Sequence, residues 1–321
     1  MANPNVGQQI AQAWQAYVGS KPEDNIHDEY SQLARMEKGK AFKSFTGGRS
    51  IIGSIEFALN STVNSITPSA QLDTTAVDVF DEFEFQWKLY AGTVLMTSFE
   101  DSTNRGSNAK FDLQQGKLEN LRQSMRSRLN TDIFGATAGN DANGLQTLVP
   151  DSPSTGTVGG INRATYSFWR SQQTSGAKTT TAYDNLRSAM RTIRGACAKG
   201  QGVKFPEYFV SGQTTVSGYE GLLIANERIV DKDNSSANAA FKGDVYKFGA
   251  ANVYWDRDCA DARMYALNNS NLMLAYQSGY WFKGWEAVNP ANQLLNVFKV
   301  ETQAQLITNN SRHLGVITAI S

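Results

Sequence analysis

Apolar positions change period several times along the first half of the chain, and each change predicts a different element. Over residues 6–18 (VGQQIAQAWQAYV), Val6, Ile10, Trp14, Tyr17 and Val18 recur on one helical face, and Lys21-Pro22 closes this short amphipathic helix. Residues 31–45 keep a mixed helical spacing and turn basic, with Arg35, Lys38, Lys40 and Lys43, then Arg49, against the single acid Glu37, until Gly47-Gly48 breaks the chain. These first 45 residues read as an arm rather than the start of a compact domain. From Ser50 the period becomes two: IIGSIEFAL at 51–59 is one strand, and Phe83, Phe85, Trp87 and Leu89 alternating with Glu82, Glu84, Gln86 and Lys88 form its hairpin partner. Between them, residues 60–78 are mostly small and polar, longer than a connection inside a compact domain normally runs, and predict a loop ordered by function or by a partner.

Residues 109–134 return to helical spacing through Phe111, Leu118, Leu121, Met125, Leu129 and Ile133, with Gly135 as a stop. A helix of that length is roughly 39 Å long at 1.5 Å per residue. A passage rich in Gly, Ser and Pro follows at 135–160, then a helix from Tyr183 to Gly200, a strand at 205–210, a helix near 214–226, a polar linker at 231–240 and aromatic strand material at 245–285. The tail alternates again, with Leu294, Phe298, Val300, Ala304 and Leu306 on one side. The fold class is therefore α+β, in two mixed parts with chain crossing between them more than once.

Charge and composition narrow the function. The 321 residues carry 30 Lys+Arg and 30 Asp+Glu, so the chain lacks the broad basic surface of a dedicated nucleic-acid binder. The imbalance is local: the basic run Arg35–Lys43 precedes a hairpin flank holding Asp73, Asp78, Asp81, Glu82 and Glu84 with no base among them. Cys197 and Cys259 form no CxxC and suggest a cytosolic fold without a disulfide framework, and the opening residues lack a signal peptide's basic start and apolar core. The only histidines are His27 and His313, and no HExxH, GxSxG or GxGxxG occurs, so no catalytic, cofactor or metal site is expected. Gly195–Gln201 has the glycine spacing of a phosphate loop without its Lys-Ser/Thr pair and reads as a capped helix end, with Cys197 as a structural thiol.

The segment Gly159-Gly160-Ile161-Asn162-Arg163-Ala164-Thr165-Tyr166-Ser167-Phe168-Trp169-Arg170 reads on its own as a glycine turn feeding an aromatic stretch, with Arg163 and Arg170 pinning loops. In its order it resembles a signature of tailed-bacteriophage major capsid (coat) proteins. Phe85–Lys88, Asn104–Gly106, the helix at 109–134, Asn143–Leu145 and Asn310–Val316 are similar to further landmarks of that family, in the same order, so that the likeness covers residues 40–321.

The resemblance implies the coat-protein fold common to tailed phages, encapsulin compartments and the herpesvirus capsid floor. By position, residues 1–45 would be the N-terminal arm, 46–108 the extended hairpin loop that reaches over a neighbouring subunit, 109–175 a peripheral domain with the spine helix, 176–288 an axial domain, and 289–321 C-terminal strands returning to the peripheral domain. The implied function is a virion protein, assembled in the bacterial cytoplasm through pentamers and hexamers into an icosahedral head around double-stranded DNA, which it would contact non-specifically. Its partners would be further copies of itself, a portal, and scaffolding and decoration proteins, with no membrane and no cofactor. On this view Arg35, Lys38, Lys40 and Lys43 of one copy attract the flank of Asp78, Asp81, Glu82 and Glu84 on another, while Phe83, Phe85 and Trp87 fix the hairpin against the subunit beneath. Residues 60–78 contain no Lys, unlike relatives that crosslink through that loop, so a covalent crosslink there is not expected. An encapsulin-type shell around a protein cargo is the alternative on the same fold, and a carboxylate-dependent hydrolase the alternative outside it.

Overall fold

The computed structural model describes residues 31–103, 113–174, 180, 183–198, 205–226 and 246–321. The amphipathic segment 6–18 and His27 lie outside them. Six α-helices, two larger sheets and two isolated strand pairs carry these residues, on two cores that meet at one sheet; the short elements include α2 (Ser98–Thr103), α4 (Leu145–Leu148) and the pair β5 (Thr157–Val158) with β6 (Ile161–Asn162).

The first sheet is organised by β14 (Leu295–Thr308). Along one side it pairs antiparallel with β4 (Lys88–Thr97), and along the other with β13 (Lys283–Val288) and then β12 (Leu272–Gln277). The alternation expected of this tail holds only between Lys299 and Ala304, where Val300, Thr302 and Ala304 are buried; every residue from Ala304 to Thr308 is buried, Phe298 is half-buried, and Leu294 falls before the strand and is 86% exposed. Across this sheet lies α3 (Leu113–Phe134), whose Leu129, Ile133 and Phe134 enter the core. Leu121 of α3 sits so close to Gly92 of β4 that a Cβ there would come within 2.5 Å of its methyl carbon. The helix stops where expected, the Gly135 amide donating to the Thr131 carbonyl at 3.0 Å.

The second sheet has the order β7 (Gln172–Thr174), β15 (Gly315–Ile317), β11 (Met264–Leu267), β8 (Tyr208–Ser211), β10 (Ala251–Trp255), β9 (Tyr246–Phe248). Period two divides its side chains between the two cores. Tyr208, Val210, Tyr265, Leu267 and Val316 join the core shared with α3, while Phe209, Val253, Met264, Ala266 and Ile317 pack with α5 (Tyr183–Cys197) and α6 (Gln213–Asn226). Both faces are covered, which accounts for the all-buried patterns of β8 and β11.

Three expectations are corrected by this arrangement. Residues 31–45 belong to the body: α1 (Ser31–Lys38) buries Leu33 and Met36, Ala41 follows them into the core, and β1 (Phe42–Phe45) pairs parallel with β12. The hairpin is β2 (Ser50–Glu56) with β3 (Phe80–Gln86), and the partner strand expected to run on through Leu89 ends at Gln86. Trp87 alone links it to β4, which belongs to the first sheet. The C-terminal strands divide, β14 lying across from α3 and β15 entering the second sheet.

Candidate subunit-contact site

The β2–β3 ladder sets which residues face outward. Ile51↔Phe85, Gly53↔Phe83 and Ile55↔Asp81 share one face of the hairpin, while Ile52↔Glu84, Ser54↔Glu82 and Glu56↔Phe80 share the other. The first set packs on its own chain. The second is open to solvent, with Ile52 61% and Phe80 64% exposed and Glu56, Glu82 and Glu84 beside them.

Phe83 and Phe85 are therefore buried intramolecularly, at 5% and 3% exposure, and are not free to fix the hairpin against another subunit. The Phe83 ring stacks on Trp169 at 5.4 Å and 25°, and the Phe85 ring lies against Gly159, where a Cβ would meet it at 3.1 Å. Trp87 is half-buried, and its indole N–H donates to the Gly48 carbonyl at 3.1 Å. All three aromatics hold the hairpin to its own body.

The glycine–arginine–tryptophan segment is what they are held against. Gly159 and Gly160 have φ of 59° and 81°, left-handed values that favour glycine, and the Gly159 carbonyl accepts from the Glu84 amide of β3 at 3.0 Å. Trp169 is fully buried and donates from Nε1 to the Val158 carbonyl at 2.9 Å. Arg163, 1% exposed, donates from Nη1 to the Thr147 carbonyl at 3.0 Å and from Nη2 to the Leu148 carbonyl, and reaches Ser311 Oγ at 3.5 Å. Burial lowers its pKa to about 10, so it remains a cation at neutral pH. Arg170 closes the turn, its Nε donating to the Arg163 carbonyl at 2.6 Å and its Nη2 to the Ala164 carbonyl at 2.8 Å.

The basic run divides. Arg35 is half-buried, with its guanidinium 3.1 Å from the centroid of the Tyr254 ring, so this side chain is occupied within the chain, contrary to its expected role in an intersubunit contact. Lys38, Lys40 and Lys43 are exposed. Of the acids, Asp78, Glu82 and Glu84 are exposed and Asp81 is half-buried, its Oδ1 accepting from the Glu82 amide at 2.8 Å. Asp73 is fully exposed, and the Thr75 hydroxyl and amide hold its carboxyl below the usual range. Asp81, Glu82 and Glu84 lie on β3 while Asp73 and Asp78 precede it, and among the described residues no group of three His, Cys, Asp or Glu side chains is placed to hold a metal ion. Burial pushes the Cys197 thiol up to about 12. That environment suits a structural thiol rather than a nucleophile.

The composition of the loop concealed its most exposed groups. Beyond the bond from the Phe57 amide to the Val79 carbonyl, the described hydrogen bonds of residues 58–78 are local turns such as those at Asn60 and Asp73, yet this stretch carries Leu59 at 91%, Val63 at 80%, Leu72 at 72% and Ile66 at 53% exposure. Apolar side chains scattered without period through a polar loop gave the only signal, and periodicity is blind to it. A second uncovered surface lies on the first sheet, where Leu89 and Leu95 of β4 and Trp285 and Val288 of β13 are 46–57% exposed. A groove of about 720 Å³ runs beside Trp285, between Lys283 and Lys299.

No protein-family model matches the sequence, and no curated protein matches it. Solved structures do. The chain superposes on the capsid asymmetric unit of cyanophage A-1(L) with a TM-score of 0.67 at 16% identity, covering 95% of this chain and 97% of that one. It superposes on the capsid of the native GTA particle at 0.64 and 12% identity over 100% of both, and on the SrpI encapsulin of Synechococcus elongatus PCC 7942 at 0.58 and 10% identity over 100% and 97%. Because these superpositions run over nearly the whole of each chain, the chain has the tailed-phage coat-protein fold, shared with encapsulin shells.

Proposed function

We propose that this chain is a major capsid protein, whose copies associate through pentamers and hexamers into an icosahedral head enclosing phage double-stranded DNA. The observation that carries the reading is the hairpin. Its base is locked to the body while its outer face and tip present Ile52, Leu59, Val63, Leu72 and Phe80 to solvent, more uncovered apolar surface than a lone subunit needs. An element built this way fits a neighbouring copy. Shells of this kind bury on the order of 2,000–5,000 Å² in obligate contacts. Many individually weak contacts then act together, so that a misplaced subunit can still leave.

The charge contact is narrower than the sequence suggested. Lys38, Lys40 and Lys43 of one copy attract Asp78, Asp81, Glu82 and Glu84 of another, without Arg35 and without the buried aromatics. Screening over about 8–10 Å makes that contact salt-sensitive. Assembly followed by light scattering should slow as salt rises from low to high concentration, and a Lys38/Lys40/Lys43→Ala variant should be slow at low salt and insensitive to more. Identical kinetics for both proteins at every salt concentration would remove the charge contact from the account. Neither a catalytic site nor a cofactor enters this function, and any DNA contact would be phosphate-directed.

The likeness to an encapsulin supports a second reading, a shell around a protein cargo. Sedimentation velocity and negative-stain microscopy, on the protein expressed alone and with the neighbouring genes, test both. Closed particles or rings of five and six support the shell, their contents separate DNA from protein cargo, and the comparison reveals any need for scaffolding or portal proteins. A stable monomer under both conditions contradicts the proposal.

A further inference from the structure

We propose that the segment Val158–Arg170 is an angle-setting seat for the hairpin, with Trp169 and Arg163 as its positioning residues. The contacts between seat and hairpin are distributed along the hairpin rather than gathered at its root. Phe85 lies on Gly159 at the base, the Glu84 amide donates to the Gly159 carbonyl, Phe83 stacks on Trp169, and farther out Phe57 stacks on Phe168 at 5.1 Å and 25°. Phe57 stands level with Val79, to whose carbonyl its amide donates at 3.0 Å. From Phe85 to that level is six positions along the arm of the hairpin that carries β3, about 20 Å at the rise of a strand. A line of contacts that long fixes a direction, whereas a contact at one point leaves a pivot.

The covalent links alone would not hold that direction. Hairpin and body are joined on one side through Gly47 and Gly48, with φ of 70° and 96°, and on the other by Trp87. Beside this root lies an open polar crevice of about 410 Å³, lined by Arg49, Ser50, Glu84, Gln86 and Trp87. The seat, by contrast, is fastened to two distant parts of the body, because Arg163 bonds the carbonyls of Thr147 and Leu148 and reaches Ser311. Gly53 completes the fit: a Cβ there would lie 2.4 Å from Phe83 Cζ, so the bare backbone opposite Phe83 lets its ring lie flat on Trp169. In a shell, the hairpin direction would set how neighbouring copies overlap, and so the curvature. This last step rests on the shell reading, and the seat itself does not.

Spin labels at Ser54→Cys on the outer face of β2 and Thr131→Cys on the exposed side of α3 would report the angle by pulsed dipolar spectroscopy, on unassembled chain diluted with unlabelled protein. Both native cysteines are buried. The expected result is one narrow distance distribution in the parent, a broadened and shifted one in Trp169→Ala, and recovery of the narrow one in Trp169→Phe, which keeps the ring stack and loses only the bond to Val158. Should Trp169→Ala fail to fold, Phe168→Ala at the half-buried outer pair reads the same angle. An unchanged distribution in a folded Trp169→Ala or Phe168→Ala variant would overturn the proposal and leave the segment a merely stabilising turn. A parent chain that never forms particles would contradict the shell reading while leaving the distance result standing.

Discussion

Arg163 shows what one buried cation costs and what it organises. No carboxylate lies within ion-pair distance of it among the described residues, and its charge is dispersed over two backbone carbonyls and a serine hydroxyl. Truncation would leave those carbonyls buried without a donor and open a cavity. Arg163→Ala should therefore lower the unfolding free energy in urea by about 3–5 kcal/mol, with Arg163→Lys intermediate because an ammonium reaches fewer acceptors. Its position in the glycine–arginine–tryptophan motif marked Arg163 in the sequence as a pin. What it pins was not legible, since its acceptors lie 15, 16 and 148 residues away and nothing local encodes them. Glu100 went unnoticed for a similar reason. Burial acts to raise its pKa, but Lys117 Nζ at 2.8 Å, with the Thr97 amide and hydroxyl, outweighs burial and holds the carboxyl below its ordinary value. A depressed carboxylate stabilises the fold above its unfolded pKa, and that contribution fades as pH falls through the folded one. Glu100→Gln should lose about 1.5–3 kcal/mol at pH 7. The gap should close in urea titrations run below the ordinary carboxylate range.

At the scale of elements, the hairpin and the long helix were the most readable parts, because each has one buried face and a period that reports it. The boundary at Trp87 was hidden for the same reason. β3 and β4 both alternate, so the period runs unbroken from Phe83 to Leu89 while the chain passes from one sheet to another. Burial separates them, with Phe83 and Phe85 inside and Leu89 57% exposed. The four basic residues of α3, Lys117, Arg122, Arg126 and Arg128, each stand within 4.0 Å of a carboxylate, that of Glu100, Glu119, Glu37, and Asp132 with Asp141 respectively, so the positive charge of the helix is largely neutralised by its own chain. Gly53 was read only as part of a strand. A methyl group there must displace the Phe83 ring, so Gly53→Ala should cost about 1–3 kcal/mol as overpacking does. It should also alter the near-ultraviolet circular dichroism of the Phe83–Trp169 stack. Full stability with an unchanged aromatic spectrum would mean that the hairpin yields at no cost.

The whole molecule has zero formal net charge, and its described residues include two uncovered apolar regions, the hairpin tip and the outer face of the first sheet. Little long-range repulsion opposes the meeting of copies, and what decides the extent of association is how much apolar surface leaves water. Sequence patterning could not reveal these surfaces, because it infers burial from period, and a residue covered only by another copy has no period within its own chain. Leu59, Val63 and Leu72 offer the cleanest test. A fully buried aliphatic side chain contributes about 1.5–3 kcal/mol, yet at 72–91% exposure these contribute almost nothing to the isolated subunit. Leu59/Val63/Leu72→Ser should therefore leave the urea midpoint of the unassembled chain unchanged and sharply reduce the yield of particles in sedimentation. The lysine triple variant should instead slow assembly and leave the final yield near that of the parent, because screened surface charge governs encounter more than affinity. If the serine variant assembled in full, the exposed tip would lie outside the contacts between copies, and cohesion would have to come from the sheet face around Trp285.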